Sequence, residues 1–373
     1  MAPSIPLFSV FMSPEAIARS VEVLGCGFIG QGPQVEAFES KLKDWVTSPH
    51  VLTLNSGTSA LHLALRLAGV EHGDEVISTA MTCMATNVPI LANGARIVWA
   101  DINPKTGNLC PKSVAEKITP KTKAIVCVDW GGYPCDFTEL RAIADQHKIA
   151  LIEDAAHAFG ATYKNQKMAA LPDFTTFSFQ AIKHVTTVDG GALICRSEED
   201  YKRGKLLRWY GIDRDVPRKD FRCEEDVLEF GYKFHMNDVA ASIGVAQLDH
   251  AARIVGAHQK NGETYRAAFA GREERGLELL DYKDDRKSAF WLFTMLVDNR
   301  EEFMKFMAER GITVSQVHAR NDRHTVFRDF QTELPGVDAF STRQVNLPVG
   351  WWLKEDQVQH IISTVDEFFP KSR

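Results

Sequence analysis

The sequence predicts an α/β protein: a large unit built on a mostly parallel, mixed sheet, followed by a smaller α+β unit. Two features carry that expectation. From residue 51 onward, short apolar segments alternate with segments whose apolar residues recur every three to four positions. That alternation is the signature of βαβ units, with helices covering both faces of the sheet. After about residue 269 the composition shifts to aromatic-rich, shorter elements. The large unit is accordingly placed at residues 1–250 and the smaller one at 251–373, each of ordinary domain size.

Taken in order, residues 14–24 read as a helix, with Ser13 to cap it, Pro14 in its first turn and Ile17, Val21 and Leu24 on one face. Gly25-Cys-Gly27-Phe-Ile-Gly30 follows, a literal G-x-G-x-x-G. A dinucleotide fingerprint must follow a strand and open a helix, whereas this one follows a helix, so a flexible loop is expected. Strands are expected at 51–54, 75–78, 96–100, 123–128 and 149–152, and helices at 58–68, from Thr82 and at 138–147. Leu61, Ala64, Leu65 and Ala68 share one face of the first of these helices. Residues 174–179 and 192–195 read as two further strands. Residues 197–228 are charged and irregular, and read either as a solvated loop or as a mobile cover carrying cations for an anionic substrate. A small-residue-rich, buried helix is expected at 237–248, with helix continuing to about Phe269. Beyond it we expect strands at 288–297 and 312–317 and helices at 301–310 and 355–369.

The totals narrow the function. The 373 residues are 45% hydrophobic and 25% charged, as in an ordinary globular protein, and the net charge is −6. That charge argues against nucleic acid or an anionic membrane as the main partner. Seven scattered cysteines, never spaced C-x-x-C, fit free thiols in a reducing compartment better than disulfides or zinc. The N-terminus lacks a basic stretch and two prolines interrupt its apolar part, and no apolar run approaches a membrane span. A cytoplasmic protein is expected.

One stretch carries the chemistry. The strand at 174–179 delivers Lys183 into a short polar turn, and the chain leaves through Gly190-Gly191 into the next strand. A lysine between buried strands is unfavourable unless its charge is lowered or its amine is chemically used. Upstream, Asp154 ends an apolar strand, and Asn55-Ser56-Gly57-Thr58-Ser59 turns a strand into a helix. In a parallel sheet, ligands gather at the carboxyl ends of strands, and all three features lie just past such ends. Together they are the parts needed to hold pyridoxal phosphate. A lysine would form the Schiff base and then carry protons, and a carboxylate would keep the ring nitrogen protonated. Backbone amides at a helix start, at Gly57 and Thr58, would bind the phosphate, with Ser56, Thr58 and Ser178 as hydroxyl donors.

The sequence resembles the DegT-type sugar aminotransferases (DegT/DnrJ/EryC/StrS), pyridoxal-phosphate enzymes that aminate keto sugars attached to nucleotides. The resemblance spans essentially the whole chain and is densest in Gly30-Gln-Gly-Pro33, Asn55-Ser-Gly-Thr-Ser-Ala-Leu61, Gly73-Asp-Glu-Val76, Ile152-Glu-Asp-Ala-Ala-His157, Phe177-Ser-Phe-x3-Lys183 and Asp189-Gly-Gly191. It implies the aspartate-aminotransferase-like type I fold, and a homodimer with shared active sites. It also implies L-glutamate as amino donor, with 2-oxoglutarate as its product. Lys183 would be the Schiff-base lysine and Asp154 the partner of the ring nitrogen. Gly57, Thr58 and Ser178 would hold the phosphate, and His157 would lie near the ring hydroxyl. The substrate would be a nucleoside-diphosphate keto sugar aminated at C4 or C3, for O-antigen, surface-glycan or glycoside biosynthesis. Its contacts are expected from Gln31, His184, Arg208, Tyr210, His318 and Arg320.

The chain departs from the family pattern in three places. Cys83 stands where many members place an aromatic that stacks on the cofactor. His184 replaces the usual Asn after the lysine. His235 stands where relatives carry an Asn or Arg that reaches the neighbouring subunit's cofactor. Relatives that dehydrate the sugar replace the lysine by histidine, so Lys183 favours amino transfer. The competing readings are a dehydratase, a non-catalytic relative that keeps the fold, and, from the early glycines, a nicotinamide-dependent oxidoreductase. His318-Ala-Arg-Asn-Asp-Arg-His324 lacks the spacing of a zinc site and reads either as a substrate-facing loop or as a solvated one, so no metal is expected.

Overall fold

The coordinates are a computed structural model describing residues 4–216 and 226–370. Of the cations expected to cover the substrate, Arg218, Lys219 and Arg222 fall outside the described residues.

Helix α1 (Pro14–Cys26) starts as the sequence suggests: the Ser13 side chain accepts the Ala16 amide hydrogen at 3.1 Å and Pro14 occupies the first turn. It ends at Cys26, two residues later than expected, and Gly27 follows with a φ of 76° that favours glycine. The glycines of the early motif therefore terminate a helix and follow no strand. Helix α2 (Pro33–Val46) comes next and buries Val35, Phe38, Leu42 and Val46; the sequence reading had passed over it. The alternating region follows as β1 (Val51–Leu54), α3 (Gly57–Leu67), β2 (Glu75–Thr79), α4 (Met84–Ala92), β3 (Arg96–Ala100), α5 (Pro111–Lys117), β4 (Thr122–Val128), α6 (Phe137–His147) and β5 (Ala150–Asp154). A short hairpin, β6 (Thr162–Tyr163) and β7 (Gln166–Lys167), precedes β8 (Phe174–Ser178) and β9 (Gly191–Cys195).

The main sheet has seven strands in the order β1-β9-β8-β5-β4-β2-β3. Strand β9 runs antiparallel to both its neighbours, and the other pairs are parallel. Six strands therefore point their carboxyl ends to one edge, and the segments after β1, β2, β5 and β8 meet there. This is the mixed, mostly parallel sheet that the alternation predicts.

The segment 197–228, read as irregular, contains α7 (Glu198–Leu207), capped by Ser197. This helix buries only Gly204 and Leu207, so it has no apolar stripe for a periodicity reading to detect. Helix α8 (Asp238–Phe269) is a single 32-residue rod that runs unbroken through residue 250, where the sequence reading had placed the end of the large unit. It packs against α1 and α2. The smaller sheet is antiparallel, β10 (Leu277–Leu279), β12 (Phe293–Val297) and β13 (Gln344–Leu347), with β11 (Arg286–Lys287) pairing to β6 instead. Helices α9 (Arg300–Glu309), α10 (Pro335–Arg343) and α11 (Glu355–Phe368) complete the chain. The strand expected at 288–297 begins only at Phe293, because Phe290, with φ of 48°, bends the chain. The one expected at 312–317 makes only isolated bridges, Ile312 to Ile5 and Ser315 to Asn346.

Candidate active site

At the carboxyl edge of the main sheet lies a cavity of about 240 Å³. Its floor is Asp154, the last residue of β5 and 4% exposed. The Thr86 hydroxyl donates to Asp154 Oδ2 at 2.7 Å, and the Ala156 amide donates to Oδ1 at 3.1 Å. Burial raises the Asp154 pKa, while those two hydrogen bonds and the Lys183 charge oppose the rise. The carboxylate is thus oriented by α4 and by the segment that follows its own strand, and it lines the cavity.

Lys183 reaches in from the turn after β8. Burial pulls its pKa down to about 7, opposed by Asp154 and Cys83. The amine lies 3.4 Å from the centroid of the Trp291 ring. Trp291 comes from the segment between β11 and β12, and sequence reasoning missed it because nothing local distinguishes it from the core aromatics around it. His157 stacks on Trp291 at 4.0 Å and 19°. The His318 ring runs parallel to His157 at 5.6 Å between centroids. Burial first, and then the Lys183 charge, pushes both imidazoles down, His157 well below the ordinary range and His318 to about 4. His157 is 3% exposed, and its Nδ1 has no partner among the described residues. Nor has His318 Nε2.

The opposite wall is the start of α3. Ser56 caps that helix, its oxygen accepting the Ser59 amide hydrogen at 3.0 Å. The amides of Gly57 and Thr58 then have no intrahelical acceptor, the usual condition of a helix start. Glycines are needed on both sides of the turn. A Cβ at Gly57 would stand 3.0 Å from Ser178 Cβ, and one at Gly191 would stand 2.5 Å from the Gly57 nitrogen. The Asp189-Gly190-Gly191 stretch thus lets β9 pass directly under the turn. Ser178 and Cys83 both line the cavity, Cys83 as the residue before α4.

The structure brings Ser56, Gly57, Thr58, Cys83, Asp154, His157, Ser178, Lys183 and His318 into this one cavity. It places the other expected residues elsewhere. The His184 ring turns away from the cavity, packed on His258 with Nε2 3.0 Å from the Ala289 carbonyl oxygen. Arg208 is buried, donating to Glu39 Oε1 at 2.5 Å and to the Thr53 carbonyl at 3.1 Å. Arg320 is clamped by both carboxylate oxygens of Asp322 and by Asp338. Each of these three side chains has an internal partner. Gln31 lines a separate polar cavity with Lys205, Arg208 and Arg214, and Tyr210 is an exposed residue beside Trp209. His235 also lies outside the cavity of its own chain, its ring 3.6 Å from that of Trp209.

Comparison with known proteins supplies the deciding match. The DegT/DnrJ/EryC1/StrS aminotransferase family profile matches residues 12–366. The chain belongs to this family. It is similar to the sugar aminotransferase CalS13 from Micromonospora echinospora (TM-score 0.93, 38% identity, covering 97% of this chain and 99% of that one). It is equally similar to AtS13 from Actinomadura melliaura (TM-score 0.94, 41% identity, 98% and 99% covered). Spr1654 from Streptococcus pneumoniae, solved in a PLP form and a PMP form, superposes with a TM-score of 0.90 at 28% identity over 98% of both chains in its PLP form. The fold is therefore type I, as in PLP-dependent sugar aminotransferases, and DegT-family aminotransferases depend on that cofactor. The residues of this DegT-family cavity fit the cofactor: a buried carboxylate on the floor, a lysine above it, an unpartnered imidazole nitrogen at the side and two amides at a helix start. Among the described residues lining the cavity, Lys183 is the only lysine or arginine.

Proposed function

We propose that this chain is a PLP-dependent aminotransferase that moves the amino group of L-glutamate to C4 or C3 of a nucleoside-diphosphate-linked keto-deoxy sugar. The observation that carries the reading is that Lys183 and Asp154 line one cavity and interact there, with the Ser56–Thr58 turn as its other wall. Gly57, Thr58, Ser56 and Ser178 would hold the cofactor phosphate, Asp154 the ring nitrogen and His157 the ring hydroxyl. When bound, the cofactor supplies the electron sink. Asp154 keeps a proton on the ring nitrogen, and Thr86 and the Ala156 amide hold its carboxylate in place for that task. Lys183 Nζ would hold the cofactor and would be the amine that takes and gives a proton at the donor carbon. A pKa near neutrality suits an amine that must both take and give that proton.

Glutamate, the cofactor and a diphosphate sugar all bring negative charge to a cavity with one lysine or arginine among its described lining residues. A second copy of the chain completes the site in this reading. Ile17, Val21, Leu24, Phe28 and Ile29 form an exposed apolar face along α1 and the loop after it, the kind of surface a homodimer covers. No helix among the described residues is long and apolar enough to cross a membrane. In this reading the enzyme works in the cytoplasm, supplying amino sugars for O-antigen, other surface glycans or glycosides.

The reading is tested with a panel of dTDP-, UDP- and GDP-linked keto sugars and glutamate, following product mass and the release of 2-oxoglutarate. An aminated nucleotide sugar formed in step with 2-oxoglutarate is expected. Turnover of free keto acids with no response to any nucleotide sugar would overturn the substrate assignment.

A further inference from the structure

Trp291 is held more firmly than a cavity wall requires. It is 2% exposed, and its Nε1 donates to the Ile182 carbonyl at 2.9 Å, one residue before Lys183. Phe8 stacks on it at 5.2 Å and 24°, and His157 at 4.0 Å. The segment that carries it is fastened to the large unit: the Ala289 amide donates to the Gly132 carbonyl at 2.9 Å and the Leu292 amide to the Gly131 carbonyl at 3.1 Å. Between them Phe290 sits at a positive φ of 48°, a conformation a bulky residue holds only when its surroundings impose it. All of this delivers one aromatic face to the Lys183 amine.

We propose that Trp291 is the positioning residue of Lys183, its indole face holding the amine above Asp154 and favouring the cationic form. The groups around that amine are Asp154, Cys83, His157, His318 and Asp189, with His184 behind it. The three imidazoles are pushed toward neutrality by burial, so they offer the ammonium no attraction. Burial opposes the charge, and Asp154 and the indole face favour it. An indole that attracts an ammonium sets the amine higher than burial alone would. The consequence for amino transfer rests on the function proposed above, but the titration of the amine does not.

The test uses the full chain without cofactor. Trinitrobenzenesulfonate labels neutral amines, and peptide mapping over a pH series reports the midpoint at Lys183. Trp291→Leu keeps an apolar cover but removes the π face, so the midpoint should fall by about 0.5 to 1.5 pH units. Trp291→Phe keeps a face, although a weaker one, and should fall less. Should the leucine variant fail to fold, biosynthetic replacement of the tryptophans by a fluorinated tryptophan weakens the face without removing a side chain. The Lys183 midpoint should then move in the same direction. In cofactor-loaded protein, the pH midpoint of the bound-cofactor absorbance should follow the same order. Superimposable profiles for the wild type and whichever of the leucine and fluorinated proteins fold, or equal shifts for leucine and phenylalanine, would overturn the proposal. A chain that binds no cofactor but shows the ordered shifts would leave Trp291 in its role and count against the proposed function alone.

Discussion

Thr86 donates its hydroxyl hydrogen to Asp154 at 2.7 Å across 68 residues of sequence, tying the start of α4 to the end of β5 under the lysine. Two variants separate the charge from its orientation. Asp154→Asn removes the anion and should lower amino transfer by about a hundredfold or more, since unpairing a buried charge costs roughly 3–5 kcal/mol. Thr86→Val leaves the anion but loses one hydrogen bond to a charged group, worth about 1.5–3 kcal/mol, so a loss of roughly tenfold to a hundredfold is expected. Circular dichroism should show both folded. Near-normal turnover in Asp154→Asn with cofactor bound would remove the electron-sink role.

The close passage of β9 beneath the Ser56–Gly57 turn gives a paired prediction. Gly191→Ala puts a methyl group 2.5 Å from the Gly57 nitrogen, so the turn must shift and cofactor affinity should drop sharply. Gly256→Ala, in the middle of α8 with nothing within 4 Å, should raise stability by about 0.5–1 kcal/mol. Equilibrium cofactor titration and urea unfolding distinguish the two.

A lysine whose pKa falls from 10.5 to about 7 on folding links stability to pH. The folded chain binds fewer protons than the unfolded one between those values, so stability rises with pH through that window. The penalty is absent above about 10.5 and complete at about 7. Lys183→Met should therefore stabilise the cofactor-free protein most at and below neutral pH, with the gain fading as the pH approaches 10.5. Melting curves of the two proteins, compared at each pH, cancel every other titration. A gain that grows with pH would contradict the assignment.

His235 is half-buried against Trp209, its Nδ1 has no partner among the described residues, and it is pushed down to about 4 by burial and then by Arg214, Lys233 and Arg208. It is neutral at physiological pH and able to donate one hydrogen bond. We expect it to serve the partner's site in a dimer. Lys183→Ala and His235→Ala, each crippled alone, should regain activity when dissociated and reassembled together, because mixed dimers hold one intact site. Activity that stays low in the mixture would confine His235 to its own subunit.

The strand-to-helix alternation, the Asp154 strand end, the Asn55–Ser59 turn and the lysine turn were all legible in the residues. Each depends on a short window: an apolar run, a cap, a glycine where two backbones approach. A parallel sheet then brings the strand ends to one edge whatever lies between them, so Lys183, Asp154 and Gly57 follow from local pattern plus topology. Helix α7 was not legible because a polar helix has no apolar stripe. Only the tertiary structure decided which polar and aromatic side chains enter the cavity. Arg208 is taken up by Glu39, 169 residues away, and Trp291 meets Ile182 across 109. Burial makes an unpaired charge so unfavourable that Arg208 and Arg320 are claimed by carboxylates the fold brings beside them, and a linear sequence does not say which ones those are.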